Sequence, residues 1–131
     1  MDFENVFERI CVKLGLDPED FSHDVNLVSM DEMAALNKQH MSKEGATDVL
    51  SFPLTNYPAL TPLDINPEDG KVMLGDVVIC PEFAEVQGTE IAFLYTHGVL
   101  HLFGYTHDTD EDYNVMMNLT KEILGNEQAT H

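Results

Sequence analysis

The chain has 131 residues, 44% of them hydrophobic, and this length fits one folded domain, residues 1–131, with a core that needs no disulfide bonds. Twenty-four Asp and Glu residues against six Lys and Arg residues give a formal net charge of -18, which disfavours binding of a polyanion over the whole surface. The N-terminal MDFENVFERI lacks the basic and apolar regions of a secretory signal, and the longest apolar run, 91–103, is shorter than a bilayer span of about 20 residues. We therefore expect a cytoplasmic protein without membrane contacts.

The N-terminal part of the chain predicts a helix, a strand and a second helix. Apolar residues recur at helical spacing over 3–14, and a glycine follows. After the acidic turn DPED, the alternating segment VNLVSM at 25–30 predicts a short strand. Ser29 and Glu32 have the spacing of a capping box, so the second helix is expected to begin there and to end near His40.

The middle of the chain predicts two strands separated by a loop. TDVLSFPL at 47–54 and VMLGDVVICP at 72–81 are rich in apolar and β-branched residues. Gly75 predicts a bulge or a close backbone approach within the second strand. Prolines punctuate the segment 55–70 between them, which indicates a loop.

The C-terminal part predicts two helices. The pattern over 89–103 is helical and almost wholly apolar, so this helix is expected at the centre of the domain, and Gly104 ends it. Thr109 with Asp112 opens a last helix that stops before Gly125. Helices and strands mixed in this order predict an α+β or layered α/β fold, with a small sheet wrapped around one central buried helix.

Three of the six histidines lie within HGVLHLFGYTH at 97–107. His97 and His101 are four positions apart on the predicted helix, so both imidazoles point to the same side. Gly104 ends the helix and lets His107 return toward the pair. Three neutral imidazoles with a fourth position open for water are typical of a catalytic zinc site, whereas a structural site has a fourth protein ligand. The three histidines are therefore predicted to bind one divalent metal ion and to act in catalysis through its bound water. Zinc is expected, although nickel, cobalt and copper also accept such ligands.

The spacing H-x3-H-x2-G-x2-H is shared with metzincin metallopeptidases, but their general base is absent. The residue after the first histidine is Gly98, which cannot accept a proton. A peptidase would thus need a base from outside the motif. We hypothesise that the missing side chain at Gly98 leaves room beside the metal for a bulkier substrate.

Two acidic residues are candidates for orienting the metal ligands. Asp48 and Asp76 each lie in an apolar, strand-like segment, where an unpaired charge is costly, so each is expected to have a partner. A histidine ligand commonly donates its second N–H to a carboxylate, and either residue fits that role or the capping of a helix. The other histidines, His23, His40 and His131, are interpreted as hydrogen-bonded core residues or exposed ones.

The motif at 97–107 closely resembles the H-G-x-L-H-L-x-G-Y-D-H signature of the YbeY family of bacterial rRNA maturation factors. TDVLSFP at 47–53 and LGDVVIC at 74–80 resemble two further motifs of that family in the same order, and the similarity spans about 25–124. The resemblance implies a small mixed sheet with surrounding helices. It also implies a metal-dependent, single-strand-specific endoribonuclease in ribosome maturation and rRNA quality control, with zinc on the three histidines.

Two positions depart from the family pattern. Met41 stands where members carry an arginine thought to engage RNA or phosphate, and Thr106 replaces the aspartate before the third histidine. Lys38 and Lys43 flank Met41 and are candidates for substrate binding, although solvated lysines are an equally good interpretation.

These observations predict metal-assisted hydrolysis of a phosphodiester in single-stranded rRNA. An alternative is a non-catalytic ribosome assembly factor, in which the metal holds the C-terminal region together. The charge of -18 suits contacts with basic ribosomal proteins, so proteins of the small subunit or of its assembly are expected partners.

Overall fold

The computed structural model describes residues 2–41 and 47–125, with the side chain of Met41 excepted. Within these ranges five α-helices, three strands and two short 3-10 helices, Pro18–Asp20 and Pro62–Asp64, occur. The helices are Phe3–Leu14 (α1), Met30–Met41 (α2), Pro81–Gln87 (α3), Ile91–Leu102 (α4) and Asp110–Leu124 (α5). The strands are Phe21–Leu27 (β1), Val49–Pro53 (β2) and Val72–Ile79 (β3). None of the helices in these ranges combines the length and the apolar character needed to cross a bilayer.

The three strands form one mixed sheet in the order β1–β3–β2. β1 pairs parallel with β3, and β2 pairs antiparallel with it. The β1–β3 register shifts between Ser22 and Asp24, which leaves one extra residue on β3. Gly75 lies at this shift with φ +144°, and a Cβ there would lie 2.2 Å from the carbonyl oxygen of Phe52. The predicted irregularity at Gly75 is thus confirmed both as a bulge and as a close approach of two strands.

Helix α4 lies at the centre of the main apolar core, as predicted. Seven of its twelve residues are buried. It packs against β2 and β3 on one side and against α1 and α5 on the other. The largest fully buried side chains of this core come from four elements and include Ile10, Leu74, Tyr95, Leu100 and Met116.

A second, smaller apolar cluster covers the other face of the sheet. Met33 of α2 packs there with Leu50 of β2 and Val78 of β3. Side chains alternate along a strand, so Val77 and Ile79 join the main core while Val78 points to α2. The sheet therefore has helices on both faces, and the α+β fold is confirmed.

The position of β1 differs from the prediction. The strand lies at Phe21–Leu27 rather than at 25–30. Ser29 belongs to the start of α2, where its Oγ accepts from the Glu32 backbone N–H and its own N–H donates to the Glu32 carboxylate. The prediction was wrong because β1 is half exposed: only Phe21 is fully buried, and polar residues mask the alternation.

Helix α3 was not predicted at all. Its signals were nevertheless present, since Pro81 occupies the first turn and Gly88, with φ +70°, ends the helix in the left-handed conformation. Only Ala84 is fully buried in this helix, so its seven residues carry too little apolar periodicity to be recognised.

Gly98 brings α4 close to the sheet. It is buried, and a Cβ built on it would lie 2.7 Å from Cγ1 of Val77 and 3.2 Å from Oγ of Ser51. The missing side chain therefore points toward β2 and β3, and the space it leaves is filled by the sheet. The hypothesis that Gly98 leaves room for a bulkier substrate is wrong, because the glycine allows α4 to pack closely against Val77 and Ser51 of the sheet.

Replacing Gly98 with alanine should lower the free energy of unfolding by about 1–2 kcal/mol. The new methyl group overpacks the contact with Val77, which costs about 1–3 kcal/mol. The better helix propensity of alanine offsets up to about 1 kcal/mol of this destabilisation. Urea denaturation measures the change.

The Gly98→Ala/Val77→Ala double variant is the matched control. It should lose less stability than the sum of the two single variants, because the clashing methyl groups are gone. Additive losses, or wild-type stability of Gly98→Ala, would contradict the packing role.

Candidate metal centre

Helix α4 and the turn after it bring His97, His101 and His107 together. One ring nitrogen of each lies within 4.8 Å of those of the other two. The Nε2 atoms of His97 and His101 are 3.1 Å apart. Two imidazoles on one tetrahedral zinc ion place their nitrogens about 3.3 Å apart, given Zn–N distances of about 2.0–2.1 Å. The three predicted ligands thus converge, and the spacing of two of them suits a shared ion.

Gly104 turns the chain so that the loop returns to the helix. Its φ is +92°, and a Cβ on it would lie 2.9 Å from the carbonyl oxygen of Tyr57, so both conformation and space favour glycine. The helix ends at Leu102, as predicted from Gly104. Beyond the turn, the chain carries Tyr105 and the exposed His107 back toward α4.

A backbone carbonyl orients His101. Nδ1 of His101 lies 2.8 Å from the carbonyl oxygen of Tyr105. A carbonyl only accepts hydrogen bonds, so Nδ1 carries the proton and Nε2 keeps its lone pair for a metal ion. The sequence does not predict this partner, because a backbone carbonyl has no signature in the residue types.

Burial keeps two of the imidazoles neutral. Burial of the His97 ring disfavours its charged form, and the positive charges of the neighbouring His101 and His107 act in the same direction. Together they lower the pKa of His97 to about 4. Burial also lowers the pKa of His101, although the hydrogen bond to Tyr105 acts in the opposite direction. Within the described residues, Nδ1 of His97 is buried without a hydrogen-bond partner. Since metal binding requires neutral imidazole, the donor set fits a metal ion at neutral pH.

The two acidic candidates lie in different places. Asp48 lines the same cavity as the histidines, but its Oδ1 accepts from Oγ1 of Thr47 at 3.5 Å rather than from an imidazole. Asp76 lines a separate groove on the α2 face of the sheet, beside His40 and Phe52. The structure contradicts an orienting role for Asp76, because the strand alternation after the bulge turns its side chain away from α4.

A cavity of about 560 Å³ adjoins the three histidines. Its other polar lining residues come from α2, β2 with the two residues before it, and the loop after α4: Asn37, Thr47, Asp48, Ser51, Tyr105 and Thr106. Among the residues that the structure describes, no lysine or arginine lines this cavity. The sequence does not predict Asn37 and Ser51 as site residues, because only the fold brings α2 and β2 beside the cavity next to α4.

The predicted cationic candidates do not reach this cavity in the described ranges. Lys38 is exposed on α2 and is absent from the cavity lining, whereas its neighbour Asn37 contributes to it. Lys43 lies outside the described residues, as does the side chain of Met41. Thr106 lines the cavity, and its Oγ1 donates to the Asp112 carboxylate at 3.4 Å.

Two of the remaining histidines have the predicted structural surroundings. His23 lies 2.7 Å from the Tyr95 hydroxyl through Nε2 and stacks on Phe7, with ring centroids 4.4 Å apart. His40 is exposed and contacts Phe52 edge to face. His131 lies outside the described residues.

The chain is similar in sequence to proteins of one family. The family model described as Endoribonuclease YbeY matches residues 1–128. Endoribonuclease YbeY of Agathobacter rectalis is 35% identical over 144 residues, which cover 94% of this chain and 87% of that protein. The protein of the same name from Corynebacterium diphtheriae is 41% identical over 109 residues, covering 76% of this chain and 55% of that protein. The match thus spans about half of that relative's length.

The fold has a counterpart among solved structures. The solution structure of TM1509 from Thermotoga maritima matches with a TM-score of 0.51 and 26% sequence identity. The match covers 97% of this chain and 81% of that one. The similarity therefore extends over the helices and the sheet that hold the three histidines.

Acid should destabilise the metal-free protein through His97. Its pKa is about 4 in the folded chain, against about 6.5 for an exposed imidazole. Between these pH values the unfolded chain binds a proton that the folded chain does not, so stability falls as the pH drops from about 6.5 toward 4. Urea midpoints of the chelated protein across this range measure the effect.

The same titration of His97→Asn provides the control. The carboxylates titrate in both proteins, so the difference between the two slopes isolates His97. The wild type should lose more stability on acidification than the variant does. Parallel slopes would show that His97 carries no depressed pKa.

Proposed function

The chain belongs to the endoribonuclease YbeY family, and we propose that it is a metal-dependent hydrolase that cleaves phosphodiester bonds in single-stranded ribosomal RNA. Residues 1–131 would act as one domain. The observation that supports this most directly is the cluster of three histidines on the wall of an open cavity. A cavity beside three ligands leaves access for water and substrate, as catalytic sites require and closed structural sites do not.

His97, His101 and His107 would hold one divalent metal ion, for which we propose zinc because three imidazoles suit it. When bound, such an ion polarises a phosphoryl oxygen and lowers the pKa of a coordinated water toward about 7. The chain contributes neutral rings and a fixed ring orientation at His101 through Tyr105. We further propose that the nearby Asp48 carboxylate favours retention of a cation in the cavity.

The net charge of -18 means that RNA must approach a local surface rather than the whole protein. We propose Lys38 and Lys43 as substrate-binding residues, in compensation for Met41 at the arginine position. The acidic surface also favours basic protein partners. We propose that the protein acts in the cytoplasm, during rRNA processing and ribosome maturation, with proteins of the ribosomal small subunit or of its assembly as partners.

The purified protein should cleave a single-stranded ribosomal RNA fragment, and His101→Ala should lower the rate by at least about 100-fold. Loss of a ligand removes the metal and with it several kcal/mol of transition-state stabilisation. Chelation of the wild type should have the same effect, and added zinc should restore cleavage. Gel analysis of end-labelled RNA measures the rates, and metal analysis gives the stoichiometry.

His40→Ala is the matched control, because it makes the same substitution at an exposed histidine outside the cavity. It should bind metal and cleave RNA like the wild type, so that loss of cleavage in His101→Ala alone excludes a contaminating nuclease as the source of activity. A wild type that binds metal stoichiometrically but cleaves no RNA would refute the enzymatic proposal. That outcome would favour an assembly factor in which the metal has a structural role.

A further inference from the structure

The Ser51 hydroxyl donates its proton to a backbone carbonyl and not into the cavity. Ser51 lies on β2, is half-buried and lines the cavity beside the histidines. Its Oγ donates to the carbonyl oxygen of Gly98 on α4, at 3.0 Å. A serine hydroxyl has one proton and two lone pairs. Since the proton is directed to α4, a molecule in the cavity meets only the lone pairs.

The neighbouring groups along the same wall are acceptors as well. Asp48 presents a carboxylate, and Oγ1 of Thr47 directs its proton to that carboxylate at 3.5 Å. We call Thr47, Asp48 and Ser51 the acceptor wall; all three line the cavity. In the parts of the chain that the structure describes, no lysine or arginine faces it across the cavity. These three side chains therefore offer lone pairs to groups that donate hydrogen bonds, whereas phosphate oxygens only accept.

RNA carries one such donor on every nucleotide, independent of base sequence. This is the ribose 2′-hydroxyl, which DNA lacks and which proteins use to tell the two apart. Base amino and imino groups also donate, but they vary with sequence and occur in DNA too. An acceptor wall beside three histidines thus matches the sugar side of a ribonucleotide whose phosphate lies toward the histidines.

We propose that the acceptor wall binds a ribose 2′-hydroxyl, with Ser51 Oγ as the direct acceptor, and that this contact selects RNA against DNA. The inference rests on the proposed RNA-cleaving function and names a specificity-determining residue for it. Ser51 suits this role better than Asp48 because its bond to Gly98 fixes the hydroxyl relative to α4. Gly98 lies between His97 and His101 in sequence, so the acceptor keeps a constant position relative to the histidines.

The test compares binding of single-stranded RNA and of DNA with the same sequence to the zinc-loaded full chain. Fluorescence anisotropy of labelled oligonucleotides, read before measurable cleavage, gives both dissociation constants. The wild type should bind RNA roughly tenfold more tightly than DNA, as expected for one net hydrogen bond. In Ser51→Ala the preference should fall to about twofold or less, because RNA binding weakens while DNA binding is unchanged.

Ser22→Ala is the matched control. Ser22 is also a strand serine of this sheet, but its Oγ donates to Sδ of Met73 at 3.5 Å and does not line the cavity. This variant should keep the wild-type preference for RNA. Melting temperature and zinc stoichiometry of Ser51→Ala establish that its fold and metal site are retained.

A second measurement needs no variant. RNAs that carry a single 2′-deoxy nucleotide at successive positions should bind the wild type more weakly at one position, by roughly tenfold. A uniform series, or an unchanged preference in folded Ser51→Ala, overturns the inference while RNA cleavage by the wild type still stands. A wild type that binds no single-stranded RNA overturns both this inference and the proposed function.

Discussion

The close contact between α4 and the sheet at Gly98 determines the geometry of the candidate site. Helix α4 carries His97 and His101, while β2 and the residues just before it form the opposite side of the cavity. A side chain at Gly98 would collide with Val77, so glycine sets the distance between the ligands and the cavity wall. The Ser51 hydroxyl also donates a hydrogen bond to the Gly98 carbonyl across the same contact. A substitution at the buried Gly98 would therefore alter both the packing of α4 on the sheet and the position of His97 and His101 relative to the cavity wall.

The electrostatic environment of the cavity differs from the strongly acidic charge of the whole chain. The net charge of -18 opposes a broad RNA-binding surface. Inside the cavity, burial holds His97 and His101 in their neutral forms, which leaves lone pairs for a cation. An ion there would supply the positive charge that the described cavity lining lacks. Such an ion would attract a negatively charged substrate into the cavity.

Much of the fold was predictable because its signals are local. The central helix, its end at Gly104 and the bulge at Gly75 follow from apolar periodicity and from glycine placed where no other residue fits. The predictions failed where local patterns are weak. Strand β1 is half exposed, so its alternation is masked, and α3 buries too little apolar surface to show a periodicity.

The candidate site likewise has a part that local sequence signals predict and a part that they do not. The spacing of His97, His101 and His107 around a helix-ending glycine was enough to predict that three candidate metal ligands converge, because helical geometry alone places two of them together. Their surroundings depend on long-range pairing, which residue types do not encode. Only the folded chain reveals that a Tyr105 carbonyl orients His101, that Ser51 faces the cavity, and that Asp76 points away from it. Which face of a strand meets a helix depends on sheet register and on a one-residue bulge, and these arise from packing of the whole chain.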